Sequence, residues 1–259
     1  MLTEKNVKTF AIAGCVSAVL SMATAPRAFA EPDFSGVWLP DVRDQTRQET
    51  ANMPPWKPEV LKQVQHLVAE EKAGRPFLVL SHCLPHGMPS WMLITHNAFE
   101  LLTTPGRITL LGEVDGNRMR RIYLDGRKPP EDPDPSLHGY SIGHWEGDTL
   151  VVDTVSMRGD TPYDRTGAPH SNKVHLIERM RLLDQDTFEN DMTIEDEVAF
   201  TAPWHVNRHY RRLPPDTFIS DAVCTETQHS PIINGQTQFI LPNDPPGYLL
   251  GPMPMPPKK

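Results

Sequence analysis

The chain has 259 residues and a formal net charge of −8 at pH 7. Its length allows one sizeable β domain, and its acidic balance argues against non-specific binding to nucleic acid. Cleavage of the first thirty residues, which hold three cationic residues and one anionic residue, would bring the net charge to −10.

The start of the chain has the pattern of a secretion signal. Residues 1–8 include two lysines, residues 10–25 are largely apolar, and Ala28-Phe29-Ala30 matches the small-x-small pattern of a cleavage site. We predict cleavage after Ala30 and a periplasmic or secreted mature chain. No transmembrane segment is expected there, since no later stretch approaches the roughly 18 apolar residues of a spanning helix. Cys15 ends a sequence that resembles a lipoprotein box, and lipidation is the alternative.

Two cysteines follow the signal, Cys83 and Cys224. In an oxidising compartment such a pair most simply forms one disulfide, here between an early loop and the end of the last predicted strand. Two unbridged thiols, or a thiolate that binds a metal, are the alternatives.

A hairpin pattern organises the mature chain. In residues 138–154, alternating residues suit a half-buried strand, Glu146-Gly147-Asp148 suits a turn, and the following apolar run suits sheet packing. Similar runs recur after Phe99, so the predicted strands span 98–103, 107–114, 118–124, 140–145, 149–156, 174–183, 187–194, 205–213 and 219–224. One substantial helix is predicted at residues 59–73, where apolar residues at helical spacing end before a glycine.

These elements predict a mainly β fold, an antiparallel up-and-down β-barrel with one N-terminal helix. Barrel closure would leave no exposed strand edge. Gly36-Val37-Trp38 resembles the opening of lipocalin-type barrels, where the tryptophan plugs the closed end, so the expected barrel is lipocalin-like. The predicted organisation is a signal peptide at 1–30, a single domain at 31–241 and an irregular proline-rich tail at 242–259.

A polar segment at residues 170–181, HSNKVHLIERMR, holds candidates for chemistry. On a strand, His175 and Arg179 would share one face and Glu178 would lie on the other. A barrel interior lined by histidine, glutamate and arginine would suit an oxygenated ligand, or proton transfer to it. A charge ladder on the solvent face is the alternative interpretation.

Asp153 ends an apolar strand and would need a partner if buried, such as Arg120, Arg121 or a histidine. A carboxylate beside a histidine makes a general acid–base pair, in which the carboxylate fixes the imidazole tautomer. A structural salt bridge explains the residue equally well.

A metal site in the loop around Cys83 is conceivable, because His82, His86 and His96 could bind zinc or copper. These histidines form no tight motif, so we assign no metal ligand and predict no cofactor. The sequence has no Gly-x-Ser-x-Gly elbow, phosphate loop or His-Glu-x-x-His motif, which argues against a serine hydrolase or a dinucleotide enzyme.

Several motifs resemble those of an uncharacterised family of secreted bacterial proteins found in species with large catabolic repertoires. The matches are CLPxGMP at 83–89, RRIYLDGR at 120–127, SxGxWEGDTLVVDT at 141–154, and PHS…H…ER at Pro169, His170, Ser171, His175, Glu178 and Arg179. The resemblance implies a secreted β fold and transfers no reaction. Tyr140 and His144 depart from the family pattern, so contact with a ligand there would imply a different ligand.

The leading hypothesis is a periplasmic enzyme that acts on a small, partly apolar, oxygenated molecule. It would use cofactor-independent acid–base chemistry of the lyase, hydratase or isomerase type. His170 and His175 are the predicted base and acid, Asp153 and Glu178 would orient them, and Arg179 would hold an oxyanion. The predicted ligand contacts are Tyr123, Tyr140, His144 and Trp145. The alternatives are a non-catalytic lipocalin-like carrier of a small hydrophobic ligand, and a metal-binding protein.

Overall fold

The computed structural model describes residues 31–74, 86–93, 97–113, 118–164 and 167–219, with the backbone of two short strands beyond them. The helices are α1 (Val42–Ala51), α2 (Pro58–Lys72) and α3 (Ser90–Leu93). The strands are β1 (Gly36–Pro40), β2 (Phe99–Thr104), β3 (Arg107–Gly112), β4 (Met119–Tyr123), β5 (Tyr140–Glu146), β6 (Thr149–Val155), β7 (His175–Leu182), β8 (Thr187–Glu195), β9 (Trp204–Arg212), β10 (Ile232–Ile233) and β11 (Gln236–Thr237).

Strands β1 to β9 form a closed barrel in chain order, and β1 pairs with β9 to complete it. The predicted mainly β, lipocalin-like barrel is confirmed. The prediction that all neighbouring strands are antiparallel is wrong for one pair, because β4 and β5 are parallel. The connection at 124–139 returns the chain to the end of the barrel where β4 begins, so β5 starts there in the same direction.

The described residues also hold three helices where the sequence predicted one. Helix α2 matches the predicted helix at 59–73. Helix α1 was not predicted, because the residues between Val42 and Ala51 are all polar and give no apolar periodicity. Helix α3 is a single turn, too short for periodicity to indicate.

The barrel interior near its first strand is filled by aromatic side chains. Trp38 is fully buried, and its indole N–H donates to the Phe34 carbonyl oxygen at 2.8 Å. The Arg212 guanidinium lies 4.1 Å from the centre of a Trp38 ring. Gly36 has a φ of 129°, and a Cβ there would lie 2.6 Å from the Arg212 side chain. Glycine is therefore favoured where the chain enters β1, because a side chain would be strained at this φ and the end of the Arg212 side chain would have to move.

Helix α3 is buried along its whole length and is held by inward-facing side chains of β9. The Tyr210 hydroxyl donates to the Met92 carbonyl oxygen at 3.0 Å. The Arg208 guanidinium donates to the Leu93 carbonyl oxygen at 3.2 Å. These bonds satisfy carbonyls at the C-terminal end of the short helix, which lies against the barrel interior.

Several sequence predictions fall outside the described residues. They are the signal at 1–30, Cys83 and Cys224, the predicted strand at 219–224 beyond its first residue, and the tail at 242–259. Within the described part of the chain, no helix has the length and apolar character needed to cross a membrane.

Candidate ligand-binding cleft

His175 and Asp153 lie together on the outer face of the barrel. The His175 Nε2 atom lies 2.9 Å from Asp153 Oδ2, and its Nδ1 atom lies 3.1 Å from Glu195 Oε2. The hydrogen bond that His175 donates to Asp153, together with smaller effects that include Glu195, raises the pKa of His175 above its ordinary value. An imidazole between two carboxylates on an open surface is an ion-pair cluster that links β6, β7 and β8.

Arg179 and Glu178 point to opposite sides of β7, as the strand period requires. Arg179 is on the outer face and donates to Glu146 Oε2 at 2.9 Å. Glu178 faces the interior, where it forms a bidentate ion pair with Arg120, whose exposed side-chain fraction is 1%. Ser141 and Thr154 hydroxyls lie within 3.2 Å of the same guanidinium.

His170 is buried away from both of these places. Its Nε2 atom lies 2.6 Å from Thr161 Oγ1, and its Nδ1 atom lies 2.9 Å from the Ser171 carbonyl oxygen. Burial lowers the pKa of His170. The neighbouring Asp196 carboxylate accepts hydrogen bonds from Tyr163 and Ser171, so the segment around His170 is held by a buried polar network.

The structure therefore brings together only Asp153 and His175 among the five residues predicted to carry catalysis. Glu178 is in the interior, Arg179 pairs with another carboxylate, and His170 has both ring nitrogens engaged. Histidines on the described strands β1 to β9 all lie at outward-facing positions, so the interior that they were expected to line is formed by other residues.

The predicted ligand contacts fall into two groups. Tyr123 and Tyr140 stack on each other, with ring centres 5.4 Å apart and planes inclined by 30°. His144 is exposed beside Glu146, with 3.2 Å between Nε2 and Oε1. Trp145 faces inward and stacks on Phe34 at 6.0 Å. Only the tyrosines lie beside a described cavity.

This cavity is a cleft in the barrel wall, and it exists because the β4–β5 ladder is short. The two strands are joined at only two register pairs, Ile122 with Ser141 and Tyr123 with Ile142. Upstream of these pairs the strands diverge around a cavity of about 330 Å³. This β4–β5 cleft is lined by Met119, Arg121, Tyr123, Ser136, Leu137, His138, Gly139, Tyr140 and Ser141.

His138 is the unusual member of the lining. Both of its ring nitrogens are buried, and neither has a hydrogen-bond partner among the described residues. The ring lies against Trp91 of α3, with 4.8 Å between ring centres. Burial, together with the charges of Arg120 and Arg118, lowers the pKa of His138 to about 4. The imidazole is therefore neutral at pH 7, with one N–H donor and one acceptor nitrogen.

One wall of the cleft is a rigid stack of planar groups. The Arg127 guanidinium lies 3.9 Å from the Tyr123 ring centre, on a ring that also stacks with Tyr140. Asp125 accepts a hydrogen bond from Arg127 Nε at 2.8 Å, which fixes the guanidinium in place. The wall is thus pre-formed, which lowers the cost of ordering side chains when a ligand binds.

Arg121 adds a positive charge to the same lining. Its guanidinium is exposed, and among the described residues its hydrogen-bond contact is the Met119 sulfur at 3.6 Å. Arg120 is close behind the cleft, because Ser141 lines the cavity and also hydrogen-bonds to the Arg120 side chain at 3.2 Å. The cleft therefore combines local positive charge, aromatic surface and an imidazole with open hydrogen-bonding capacity.

Sequence reasoning missed His138, and it considered Arg121 only as a partner for Asp153. A usable signal was present in β4, where Met119, Arg121 and Tyr123 alternate with inward residues and place a cationic and aromatic face outward. His138 gave no signal, because its position depends on the parallel entry of β5, which the hairpin pattern does not indicate.

A metal site is not formed by the described part of the chain, which contains no cluster of three or more His, Cys, Asp or Glu side chains suited to an ion. Of the residues considered for such a site, His86 is described and buried. His82, Cys83 and His96 lie outside the described residues.

Comparisons with known proteins add little to this geometry. No protein-family model matches the chain, and a comparison with curated proteins finds no match. Similar solved structures include a "REP1-NXSQ fatty acid transporter", at 10% identity and a TM-score of 0.32, with 70% of this chain and 96% of that chain covered. Another is a mutant of the fluorescent protein UnaG, at 11% identity and a TM-score of 0.31, with the same coverage. Likenesses at this level carry no information on the ligand.

Proposed function

We propose that the protein is a carrier of the periplasm or extracellular space, which holds a small oxygenated molecule in the β4–β5 cleft without transforming it. The carrier replaces the acid–base enzyme as the favoured hypothesis. An acid–base mechanism needs its acid, base and oxyanion donor around one reacting atom. The residues predicted for these roles occupy separate places, on the outer face, in the interior and beside Asp196.

The observation that carries the proposal is the His138 imidazole, which lines the cavity and whose two buried nitrogens have no hydrogen-bond partner among the described residues. A buried polar group without a hydrogen bond costs about 1–3 kcal/mol, and most buried polar groups are satisfied. Because both nitrogens are buried, a ligand would have to bring oxygen atoms into contact with the ring to satisfy them, and its binding would then recover part of this cost. The cavity volume of about 330 Å³ lies at the small end of the range for ligand sites.

The test is mass spectrometry of the mature protein after incubation with an extract of the producing organism. We expect native protein to retain a small molecule whose mass is unchanged on release. The His138→Phe variant keeps a planar ring against Trp91 and should lose the molecule. Arg211→Met removes an exposed, outward arginine of β9, far from the cleft in the register, and should retain it.

Two outcomes would count against the carrier. A compound consumed by native protein but spared by His170→Ala, with the variant shown to be folded by circular dichroism, would restore the enzyme hypothesis. Equal retention by native protein and His138→Phe would show that the ligand binds elsewhere.

A further inference from the structure

We infer that the β4–β5 cleft selects a small hydroxycarboxylate, a molecule that presents a carboxylate and a hydroxyl on a compact, partly apolar body. This inference rests on the proposed function and names the ligand class of the same site.

The charge of the lining favours an anion. Arg121 contributes a guanidinium that forms no ion pair with a carboxylate among the described residues. The other nearby guanidinium, that of Arg127, is already bound by Asp125. A guanidinium binds a carboxylate through two parallel hydrogen bonds, which fixes both its charge and its orientation. The protein as a whole is acidic, so this local positive charge sets the cleft apart from its surroundings.

An anion alone cannot satisfy the hydrogen-bonding groups of the His138 imidazole. A neutral ring offers one donor and one acceptor, and both nitrogens are buried without a hydrogen-bond partner in the part of the chain that the structure describes. A carboxylate oxygen can accept from the N–H but has nothing to give to the second nitrogen. A hydroxyl group can donate to that nitrogen, so a ligand with both groups satisfies the whole ring.

The lone pair of the second nitrogen also argues against a fully ionised phosphate. Such an anion presents only acceptor oxygens, one of which would face the acceptor nitrogen without a proton between them. A phosphate group usually draws several cationic or backbone donors, whereas the guanidinium that lines this cavity is that of Arg121. A singly charged carboxylate matches one guanidinium.

The remaining lining sets the body of the ligand. Tyr123 and Tyr140 present ring surface, and Met119 and Leu137 add apolar atoms. The stack with Arg127 keeps the tyrosines in place. A compact ring or short branched chain would fill the small cavity, and a long acyl chain would exceed it.

The experiment measures binding by isothermal titration calorimetry with matched probes. Mandelate is compared with phenylacetate and 4-hydroxybenzoate with benzoate, since each pair differs in one hydroxyl. Benzyl alcohol supplies the hydroxyl without the carboxylate, and inorganic phosphate supplies an anion without an apolar body. Tryptophan fluorescence is a second readout, because one of the five tryptophans, Trp91, lies against His138.

We expect at least one hydroxycarboxylate to bind more tightly than its partner without the hydroxyl. Arg121→Met should weaken that binding roughly 10- to 100-fold, which corresponds to loss of a charge-assisted hydrogen bond. His138→Phe should weaken it by about tenfold and should abolish the preference for the hydroxyl. Arg211→Met is the matched control for removal of an exposed strand arginine and should bind as native protein does.

The inference is overturned if benzyl alcohol or phosphate binds in the cleft at least as tightly as the hydroxycarboxylates. It is equally overturned if the carboxylates bind without dependence on Arg121 and His138, or if no probe binds. The extract experiment separates these failures from failure of the carrier. A compound without a carboxylate, retained by native protein and lost in His138→Phe, would refute the ligand class and keep the function.

Discussion

Replacement of His138 by phenylalanine should flatten the dependence of protein stability on pH. The native ring has a pKa of about 4 in the folded state, against an ordinary value of 6.5. Between these values the unfolded chain binds a proton that the folded chain excludes, so stability is full above pH 6.5 and falls as the pH drops. At about pH 4.5 the loss attributable to this ring is roughly 2 kcal/mol.

The assay is urea unfolding, monitored by far-ultraviolet circular dichroism, at pH 7 and at about pH 4.5. Because phenylalanine does not titrate, the drop in the free energy of unfolding should be smaller in His138→Phe by roughly 2 kcal/mol. At neutral pH the variant should be as stable as native protein or more so, since a buried polar group without a partner is replaced by an apolar ring. His170, whose pKa is also lowered, contributes equally to both proteins.

The control is His144→Phe, which removes an exposed histidine from the neighbouring strand. This variant keeps the buried His138 ring and loses only an exposed pair with Glu146, so most of the native drop in the free energy of unfolding should remain. Equal drops in native protein and His138→Phe would refute the reasoning, because they would mean that the folded protein protonates this imidazole as easily as the unfolded chain does. A large loss of stability at neutral pH would show that the ring nitrogens have partners in solution.

Three further predictions concern the polar groups that hold the barrel together. Glu178→Gln leaves the buried Arg120 charge uncompensated and should lower the free energy of unfolding by about 3–5 kcal/mol, as measured by urea unfolding. His175 should titrate by NMR above 6.5, and Asp153→Asn should lower that pKa, because Asp153 supplies its largest upward contribution. The ion pair between His175 and Asp153 stabilises the fold by under about 1 kcal/mol, because the site is exposed. This stabilisation is present below pH 6.5 and is lost as the pH rises through the pKa that His175 has in the folded protein. Asp196→Ala removes a buried acceptor of several hydrogen bonds and should cost at least about 3 kcal/mol in thermal or urea unfolding.

A further measurement could contradict each of these three predictions. Glu195→Gln removes an exposed carboxylate and should cost under about 1 kcal/mol, so a cost equal to that of Glu178→Gln would undo the argument from burial. An unchanged His175 pKa in Asp153→Asn would mean that the contact does not persist in solution. A native-like Asp196→Ala would show that its donors find other acceptors.

The barrel was predictable because strand period and turn chemistry are local properties of the sequence. Residues of β7 alternate as the pattern indicates, with Glu178 on one face and Arg179 on the other. Which face turns inward depends on pairing with distant strands, and the ion pair with Arg120 joins residues 58 positions apart. The sequence of β7 therefore could not show that its histidine and arginines lie outside.

The cleft was less predictable than the fold. Tyr123 and Tyr140 were expected at a ligand site, but their contact requires the parallel pairing of β4 and β5. A hairpin interpretation places consecutive strands antiparallel and leaves no gap between them. His138 acquires its surroundings from Trp91 and from two arginines on or next to β4, none of which is close to it in sequence.

The closing pair of the barrel has a consequence for the order in which the molecule can form. Strand β1 pairs with β2 along residues 36–38, but its other edge finds a ladder partner only when residues 204–212 of β9 are available. Contacts between such distant segments make folding slow, on the order of milliseconds to seconds for β topologies. The sequence predicts secretion, and a secreted chain must stay unfolded until it has crossed the membrane. A ring that only its ninth strand completes would delay folding in this way.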